Sequence, residues 1–465
     1  MAQITRRGFL GGAAMLAVGP ALGRRPVAGG VERPNVVVVT TDDQAVESMR
    51  VMPITAEVVG ARGTTFTTSY ATTPVCSPSR ATMLSGQYAH NHGVLGNGLA
   101  YLHFDHTNAL PVWLQAAGYA TAHVGKYLNA YNDATVVPPG WDHWFAVVAP
   151  SSLRYYGYEL SDDGVQRRAG YEPEDYQTDV LAARAVDLVG QLAAGGRPFF
   201  LWFAPIAPHG VDGDGNPPVP APRHVGRFAD EPLPTPPSFD EADVSDKPAD
   251  IRRRPRLGPN GVADITMRYR ARLESLLAED EAVGAIVAAL DGAGVLGSTV
   301  LLYTSDNGFF HGEHRIRTGK IELYEPSVRV PLLAAGPGFA AGATVDRPVA
   351  NVDLATTVVA MTGATPGRLL DGVDLRESAS PLADPDRPIL LETGPRDDPG
   401  WYSAVRTPRW LYAEHDTGEQ ELYDLVADGD QMVSRHDDPR YAEVRHRLAR
   451  ARRRLAACAG PSCRS

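Results

Sequence analysis

The sequence predicts an α/β fold with a central, mostly parallel sheet flanked by helices, followed by a smaller C-terminal antiparallel sheet and helix. Over most of the chain, short apolar runs typical of buried parallel strands alternate with longer helical segments. After about residue 386, short strand-like runs and turns replace that alternation. The length of 465 residues and the hydrophobic content of 43% allow a large core and exceed the usual size of one domain.

The elements follow from local patterns along the chain. The predicted strands of the main sheet are the apolar runs at 34–41, 119–125, 197–205, 298–305 and 330–337. Helical stretches at 178–194 and 269–294 separate them, which favours a doubly wound domain over residues 34–385. In the smaller C-terminal subdomain, residues 386–465, the predicted strands lie within 389–394, 402–415 and 420–430, and a closing helix covers 441–457.

One long segment lacks a periodic pattern. Residues from about 211 to 261 are rich in proline, glycine and aspartate, which predicts a long irregular insertion. Loops of this length in compact domains are usually functional or disordered. We therefore expect the insertion to lie over a site.

The amino terminus has the features of an export signal. In ITRRGFLGGAAMLAVGPALG, Arg6 and Arg7 precede a modest apolar segment, a pattern similar to a twin-arginine signal. A disordered basic tail is the alternative interpretation. Residues 1–30 are therefore predicted as a signal peptide, with cleavage after Gly23 or near Gly29. The product is expected to be periplasmic, cell-wall-associated or secreted.

Charge and hydropathy argue against two kinds of partner. The formal net charge is -11, and no long basic run occurs in the body of the chain, which argues against nucleic acid. No internal stretch reaches the roughly 18 apolar residues of a membrane span. Any anion that the protein binds must therefore be held by local positive charge.

Cysteine use singles out one residue. The chain has three cysteines, and cysteines in an oxidising compartment are expected in pairs. Cys458 and Cys463, in CAGPSC, could pair with each other, and the sequence leaves this open. Cys76 is then left over, either as an inert buried thiol or as a chemically special group.

Acidic residues follow two of the predicted strands. Asp42 and Asp43 end the first apolar run, and Asp306 and Asn307 end the run at 298–305. In open α/β sheets, ligands collect at the carboxyl ends of the strands, and these oxygens suit a hard cation such as calcium or magnesium. Each pair alone is also typical of an ordinary turn or cap. The metal hypothesis therefore depends on their combination with Cys76.

The segment around Cys76 is predicted to bind an anion. Ser77 and Pro78 are typical of an N-cap and a first helical residue, which places a helix over 79–87 with its positive end beside Cys76. Such an end attracts anions. Arg80, one turn into the helix, adds a bidentate donor that suits a tetrahedral oxyanion.

Lysine use gives an independent indication. Of the 44 basic residues three are lysine, namely Lys126, Lys247 and Lys320. Lys126 directly follows a predicted strand and Lys320 lies downstream of the second acidic pair, and an ammonium that can donate a proton is not interchangeable with guanidinium. His209, in APIAPHG, follows a buried strand and opens the insertion, which predicts a position at the rim of a site. Chance, and a loop histidine without a role, are the simpler interpretations.

Several of these segments resemble blocks of one enzyme family. CSPSRATMLSG resembles the signature of the type I, formylglycine-dependent sulfatases, in which the cysteine is oxidised to formylglycine before folding. NVVVVTTDDQ, GKY, APH and YTSDNG match other blocks of that family in the same order, so the resemblance covers most of residues 34–425. As a set these motifs are highly specific. Leu84-Ser85-Gly86 stands where the family often has Leu-Thr-Gly.

The resemblance implies an alkaline-phosphatase-like fold and the hydrolysis of sulfate monoesters. It implies one calcium ion held by Asp42, Asp43, Asp306, Asn307 and the modified Cys76. The groups that it implies around the sulfate are Arg80, Lys126, His209 and Lys320. Maturation would require a formylglycine-generating enzyme as a partner.

Other segments are similar to the glucosamine-6-sulfatase branch. GKYLNAYN, VPPGWDHW and SLRYYGYEL are similar to blocks of that branch, which includes extracellular heparan sulfatases. Many arylsulfatases have histidine where this chain has Leu128, which counts against an aryl preference. A sulfated sugar such as N-acetylglucosamine 6-sulfate is therefore the expected substrate. Trp141, Trp144 and Tyr155 could form an aromatic wall for a sugar ring, with at least one of them expected in the core.

The chemistry of sulfate ester cleavage explains the residue types. The leaving oxygen gains negative charge as the S–O bond breaks, so catalysis needs a nucleophile, cations around sulfur and an acid at the leaving oxygen. A hydrated aldehyde at position 76 beside a divalent ion would supply the nucleophile, and His209 or Lys320 the proton. Two alternatives stay open in the sequence: a phosphonate or phosphate ester hydrolase of the same superfamily, and a surface glycan-binding protein without catalysis.

Overall fold

The computed structural model describes residues 33–213, 215–380, 383–394 and 401–464. The predicted signal peptide, residues 1–30, lies outside the described residues. The strands of the described residues are β1 (Asn35–Thr41), β2 (Gly63–Phe66), β3 (Ser69–Tyr70), β4 (Ala120–Gly125), β5 (His143–Val148), β6 (Glu159–Asp162), β7 (Val165–Arg168), β8 (Phe199–Ala204), β9 (Thr299–Ser305), β10 (Leu332–Ala335), β11 (Ala343–Val345), β12 (Val349–Ala350), β13 (Ile389–Glu392), β14 (Tyr402–Arg406), β15 (Trp410–His415) and β16 (Gln420–Asp424). The α-helices are α1 (Pro53–Thr55), α2 (Cys76–Ser85), α3 (Ala89–His92), α4 (Ala100–His103), α5 (Leu110–Ala116), α6 (Gln177–Ala194), α7 (Ala249–Arg252), α8 (Pro259–Gly292), α9 (Glu325–Val328), α10 (Val352–Thr362), α11 (Leu375–Ser378) and α12 (Ala442–Leu455).

The main sheet of the described residues has the strand order β11-β2-β10-β9-β1-β8-β4-β5-β6-β7. Its centre is parallel, from β9 through β1, β8 and β4 to β5. All five predicted strands are present, and the mostly parallel α/β fold is confirmed. The parallel pairing expected for 330–337 is wrong, because β10 pairs antiparallel with β9 and β2. The chain returns from β9 to β10 through a loop with one short helix instead of a full crossover helix.

Side chains of β1 alternate between two apolar cores. Val36 and Val38 pack with side chains of α2, α5 and α10, whereas Val37 and Val39 pack with side chains of α6 and α8. The period of two in a strand and the cover of helices on both faces explain why β1 is apolar along most of its length. None of the helices in the described residues combines the length and hydropathy that crossing a membrane requires.

The C-terminal strands form a separate antiparallel sheet in the order β13-β14-β15-β16. The predicted strands and closing helix of this region are confirmed. The sheet shares an apolar core with α12 and with Tyr70, Tyr88 and Phe310 from earlier in the chain. Cys458 and Cys463 form a disulfide just beyond α12. The domain boundary between residues 385 and 386 stays a prediction.

The predicted insertion is irregular in its described part, apart from α7, a short 3-10 helix at Pro222–His224 and the start of α8 at its end.

The expected aromatic wall is wrong. Trp141, Trp144 and Tyr155 are 7%, 0% and 1% exposed and belong to apolar cores, because their rings pack against other core side chains instead of solvent.

Candidate active site

Four polar side chains meet where β1 and β9 end. The two strands pair in parallel register over their full length, so Asp42 and Asp43 lie beside Asp306 and Asn307. The Asp43 N–H donates to Asp306 Oδ1 over 3.1 Å, and Asn307 Nδ2 donates to Asp43 Oδ1 over 2.7 Å. All four side chains are buried. The two acidic pairs that the sequence singled out therefore share one edge of the sheet.

Cys76 lies against the same edge. Its thiol donates to Asp42 Oδ1 over 3.4 Å, and its sulfur accepts from Lys320 Nζ over 3.2 Å. Cys76 is 1% exposed and is the free cysteine of the described residues. The leftover cysteine is thus buried inside the cluster of charged groups.

The helix that presents Cys76 begins earlier than predicted. Cys76 is the first residue of α2 and Val75 is its N-cap, so the expected capping by Ser77 is wrong. The Ser77 hydroxyl instead donates to Asn129 Oδ1 and accepts from the Asn129 N–H. The sulfur therefore sits in the first turn of the helix, where backbone N–H groups lack helical partners.

Arg80 connects the two acidic pairs to β4. Its Nε donates to Asp306 Oδ2 over 2.8 Å, its Nη2 to Asp42 Oδ2 over 3.3 Å, and its Nη1 to the Lys126 carbonyl over 2.6 Å. The side chain is fully buried. A planar guanidinium with several fixed donors suits this bridging position.

Two of the three lysines reach the same cluster. Lys126 follows β4, and its Nζ donates to Asp42 Oδ2. Lys320 comes from the loop after β9, and its Nζ donates to Asp43 Oδ1 as well as to the Cys76 sulfur. Both lysines are buried. Strands and loops far apart in sequence thus place three cations around the carboxylates.

His209 lies just beyond β8, at the carboxyl edge of the sheet. Its Nε2 is 3.5 Å from Asp43 Oδ2, and its Nδ1 is 2.7 Å from the Gly210 carbonyl. A neutral ring that donates from Nδ1 to this carbonyl keeps Nε2 as the nitrogen that faces the acids. Its backbone carbonyl accepts from the Tyr155 hydroxyl over 2.9 Å.

The cations decide the charge state of two acids. Burial opposes ionisation of Asp42, but the charges of Lys126, Arg80 and Lys320 outweigh it and hold the pKa of Asp42 well below its usual range. The pKa of Asp43 is also lowered, because the charge of Lys320, with a smaller contribution from Arg272, outweighs its burial. Both carboxylates are therefore ionised and available as ligands.

Burial dominates at three other groups. It raises the pKa of Asp306 to about 6, with a further contribution from the Asp42 charge. It lowers the pKa of His209 although Asp43 and Asp42 oppose the shift, so the neutral imidazole is favoured. Burial, and next the Asp42 charge, raise the pKa of the Cys76 thiol far above its usual value. The unmodified thiol is therefore protonated at neutral pH.

The residues at this edge fit a hard divalent cation. Asp42, Asp43, Cys76 and His209 offer ligand atoms that lie within 4.8 Å of one another. Asp43 Oδ2 and Asn307 Oδ1 are buried without hydrogen-bond partners among the described residues. A buried acceptor without a donor is costly, and a cation at this place would satisfy both oxygens.

The ligand atoms that the structure groups differ in part from the predicted metal ligands. His209 joins the group, although the family resemblance implied a place for it around the sulfate. Asp306 accepts from Arg80 and from the Asp43 N–H. Carboxylate oxygens keep further lone pairs, so these bonds leave Asp306 able to bind a cation.

One residue that contacts the site, Arg272, was not predicted from the sequence. Arg272 of α8 donates from Nη2 to the Asp43 carbonyl, and its guanidinium carbon lies 3.7 Å from the centre of the Phe309 ring. Arg272 is 4% exposed. The available signal was a basic residue between apolar positions on a helix that packs against the sheet.

Acids, cations and a buried thiol gathered at one edge of an α/β sheet are the kinds of group that a hydrolase of anionic esters requires. The sequence profile of the family described as Sulfatase matches residues 34–364. The chain belongs to the sulfatase family and is a sulfuric ester hydrolase.

Two named sulfatases align with most of this chain. An arylsulfatase of Volvox carteri is 35% identical, over 93% of this chain and 76% of that protein. The human N-acetylglucosamine-6-sulfatase is 31% identical, over 97% of this chain and 89% of that protein. The chain is therefore similar to a sugar sulfatase and to an arylsulfatase at nearly the same level.

Solved structures share the fold. One, in complex with its substrate D-glucosamine-2-N,6-O-disulfate, has a TM-score of 0.74 at 23% identity, over 90% of this chain and 97% of that chain. A phosphonate monoester hydrolase of Agrobacterium radiobacter has a TM-score of 0.68 at 21% identity, over 90% and 94% of the two chains. The same architecture therefore occurs in enzymes that act on different anionic esters.

Proposed function

We propose that this sulfatase hydrolyses the sulfate ester of a sugar such as N-acetylglucosamine 6-sulfate, with formylglycine at position 76 and one Ca²⁺. The observation that carries the proposal is the burial of the Cys76 sulfur between an Asp42 oxygen and Lys320 Nζ. A protonated thiol at this place is a weak nucleophile. Oxidation of the side chain to an aldehyde gives position 76 a role that the thiol does not fill.

Calcium is the proposed cation because oxygen atoms dominate the donor set. Asp42, Asp43, Asp306 and Asn307 supply carboxylate and amide oxygens, and residue 76 supplies an oxygen after modification. The two buried oxygens without hydrogen-bond partners support this assignment. When bound, the ion supplies positive charge that lowers the pKa of an adjacent hydroxyl.

The cations of the cluster are proposed to bind the sulfate group. Arg80 offers fixed donors, and Lys126 and Lys320 place their ammonium groups beside Asp42 and Asp43. Positive groups held in place before the reaction stabilise the charge that develops on the sulfate and leaving oxygens. Ion pairs with Asp306, Asp42 and Asp43 hold these groups in fixed positions, which favours catalysis.

The proton for the leaving oxygen is proposed to come from His209 or Lys320. An alkyl alcohol is a poor leaving group, so protonation contributes strongly to its departure. His209 Nε2 faces Asp43 Oδ2, and Lys320 Nζ contacts the sulfur of residue 76, so both lie at the reacting centre. The neutral form of His209 is favoured, so His209 would first take up a proton on Nε2 before it could donate one.

The sugar preference is supported by similarity and by space next to Lys320. The similarity to the human N-acetylglucosamine-6-sulfatase extends over 97% of this chain. A cavity of about 410 Å³ is lined by Lys320, Ile321, Arg253, Tyr402 and His415, among others. This volume is within the range of small-molecule sites, and the lining combines charged and aromatic side chains with aliphatic ones.

Maturation and export complete the proposal. A formylglycine-generating enzyme modifies Cys76 inside the cell, because the buried side chain is inaccessible once the chain has folded. The twin-arginine route exports folded proteins, so modification precedes export. The mature enzyme then acts in the periplasm, at the cell wall or outside the cell.

A substrate panel tests the proposal. Purified, modified enzyme is assayed with N-acetylglucosamine 6-sulfate, 4-nitrophenyl sulfate and a phosphonate monoester. We expect the highest kcat/KM with the sugar sulfate. Turnover of the phosphonate far above both sulfates would overturn the proposed substrate class, and a preference for the aryl sulfate would overturn the sugar assignment.

A further inference from the structure

Lys247, the third lysine of the chain, lies outside the catalytic cluster and is completely buried. Its Nζ is 3.2 Å from Glu241 Oε1 and 3.2 Å from Asp246 Oδ1, and it donates to the Met432 carbonyl over 2.8 Å. The side chain also lies over the ring of Tyr423, 5.4 Å from its centre. A buried charge without partners is costly, and these contacts compensate it.

Glu241 also contacts the loop after β9. Its Oε2 is 2.7 Å from His314 Nδ1, and its backbone carbonyl accepts from Arg315 Nε over 2.8 Å. The carboxylate and the imidazole are each 1% exposed. The His314 ring packs on Tyr324 with centres 4.1 Å apart. Lys247, Glu241 and His314 therefore form one buried chain of polar contacts between the insertion and the loop.

The loop has a strained backbone that contacts from the insertion hold in place. His314 and Arg315 have φ values of 51° and 62°, in the left-handed region that residues other than glycine seldom occupy. Such conformations persist where the surrounding structure imposes them. The insertion supplies this constraint, because the His314 N–H donates to the Ser238 carbonyl over 2.7 Å and the Asp240 N–H donates to the Gly312 carbonyl over 2.9 Å.

The same loop ends at Lys320. The Phe310 N–H donates to the Gly319 carbonyl over 2.8 Å, which closes the loop directly before Lys320. The Lys320 ammonium then reaches Asp43 Oδ1 and the sulfur of residue 76. A shift at the far end of the loop is therefore transmitted to the ammonium through a short, closed segment.

We propose that Lys247, Glu241 and His314 form a positioning network that holds Lys320 at the reacting centre. Lys247 and Glu241 touch neither the sulfate group nor the proposed calcium ligands, and they act through the loop. The effect on catalysis rests on the proposed function, whereas the effect on the position of Lys320 does not. All three lysines of the chain therefore lie at closed sites that fit a compact ammonium group.

Selective labelling tests the position directly. Because the chain has three lysines, protein made with [ε-¹³C]lysine gives three side-chain NMR signals. Lys126→Arg, Lys320→Arg and Lys247→Met assign them by the loss of one signal each. In Lys247→Met, we expect the Lys320 signal to shift and that of Lys126 to stay, because Lys126 follows a strand that does not contact the network.

Kinetics and a matched variant separate positioning from general loss of stability. Arg387→Met breaks a different buried ion pair, with Asp353, at 2.7 and 2.8 Å. We expect Lys247→Met to lower kcat about 10- to 100-fold, since displacement of a catalytic group by about 1 Å has effects of this size. KM should change much less. Arg387→Met should lower the melting temperature yet leave both kcat and the Lys320 signal close to wild type.

Each outcome decides between the alternatives. The network has no positioning role if the Lys320 signal stays at its wild-type place in Lys247→Met or if Arg387→Met moves it equally. If the signal moves while kcat is unchanged, the proposed effect of the positioning on catalysis is wrong. Glu241→Gln, which keeps the side-chain volume, carries the same test if Lys247→Met does not fold. A shift of Lys320 in an enzyme that turns over no sulfate ester would support the positioning and count against the proposed function.

Discussion

Burial determines the reactivity of the Cys76 thiol, which lies at the centre of the site. Burial and the Asp42 charge raise the pKa of the Cys76 thiol, whereas reactive cysteines have a lowered pKa and some exposure. The thiol of this chain thus has the properties of an inert side chain. Its place between Asp42 and Lys320 supports the proposed replacement of the sulfur before the enzyme acts.

Substitution of Cys76 by serine removes the oxidisable sulfur with little change in volume. We expect Cys76→Ser to abolish sulfate ester turnover, because a neutral hydroxyl is neither the thiol substrate of the modifying enzyme nor an activated nucleophile. The melting temperature should stay within a few degrees of wild type. Activity assays and thermal unfolding check this, and near-normal turnover would restore the interpretation of Cys76 as a structural thiol.

Loss of the proposed acid should depend on the leaving group. We expect His209→Asn to lower kcat for a sugar sulfate by about 10²- to 10⁴-fold, the usual contribution of general acid catalysis. The loss should be much smaller for 4-nitrophenyl sulfate, because its phenolate departs without a proton. Equal losses on both substrates would assign His209 to binding or to the metal instead of proton transfer.

Individual residues were predictable where their type was unexpected. Lys126 and Lys320 stood out in a chain that uses mostly arginine for positive charge, and Asp42 and Asp306 followed apolar runs of the kind buried in parallel sheets. Arg272 was not predictable, because its contact with the Asp43 carbonyl depends on how α8 packs against the sheet. Sequence patterns indicate which face of a helix is buried but leave open what it touches.

At the scale of elements, the ends of strands set the geometry of the site. β1 and β9 are neighbours, so the two acidic pairs meet without further constraint. The end of β4 is held differently. Gly125 has a φ of 122°, and a side chain added there would approach the Ala204 carbonyl oxygen of β8 to 2.1 Å. The close approach of two strand ends places Lys126 beside Asp42.

A methyl group at Gly125 should therefore disturb stability and catalysis together. We expect Gly125→Ala to lower the free energy of unfolding by about 3 kcal/mol or more, from backbone strain and the clash with β8. Displacement of Lys126 should lower kcat about tenfold or more in the protein that still folds. Denaturant unfolding and steady-state kinetics measure the two effects.

Gly118 offers a matched control for that substitution. Its φ of 88° imposes a similar backbone cost, but nothing lies within 4 Å of the place of an added side chain. Gly118→Ala should therefore cost only the strain, about 1–2 kcal/mol, with kcat unchanged. If both variants lose equal stability and activity, the contact with β8 is not what positions Lys126.

The elements themselves were largely predictable, and their directions and ends were not. Buried strands such as β1 and β9 followed from apolar runs of the right length. The antiparallel course of β10 depends on the loop that carries Lys320, which has no sequence signal for direction. The start of α2 was placed too late because Ser77 looks like a cap, whereas its hydroxyl contacts Asn129 in another part of the chain.

At the scale of the whole molecule, the site is assembled from segments that are distant in sequence. The first strand, the Cys76 helix, the segments after β4 and β8 and the loop after β9 each supply groups. The C-terminal sheet packs against that loop through a shared core. The sequence predicted the participants through their order and type. It could not predict that the insertion and the loop are tied by a buried lysine, since such a tie depends on tertiary packing.

A cation that joins these segments should stabilise the whole fold. We expect chelation to abolish activity and to lower the melting temperature, and added Ca²⁺ to restore both. A ligand at 100 times its Kd stabilises the folded state by about 2.7 kcal/mol, which thermal unfolding detects readily. Asn307→Ala should reduce the Ca²⁺-dependent part of the stabilisation. If neither the melting temperature nor the activity changes with chelator or with added Ca²⁺, the proposed metal at this edge of the sheet is contradicted.

The most direct test of the central claim is the mass of the tryptic peptide of residues 63–80, which contains Cys76, taken from enzyme that turns over a sulfate ester. Conversion of the thiol to an aldehyde removes about 18 Da by formula arithmetic, as the assignment of a special thiol requires. The account predicts the lighter peptide, in proportion to specific activity across preparations. Full activity in material that carries only ordinary cysteine at position 76 would contradict it.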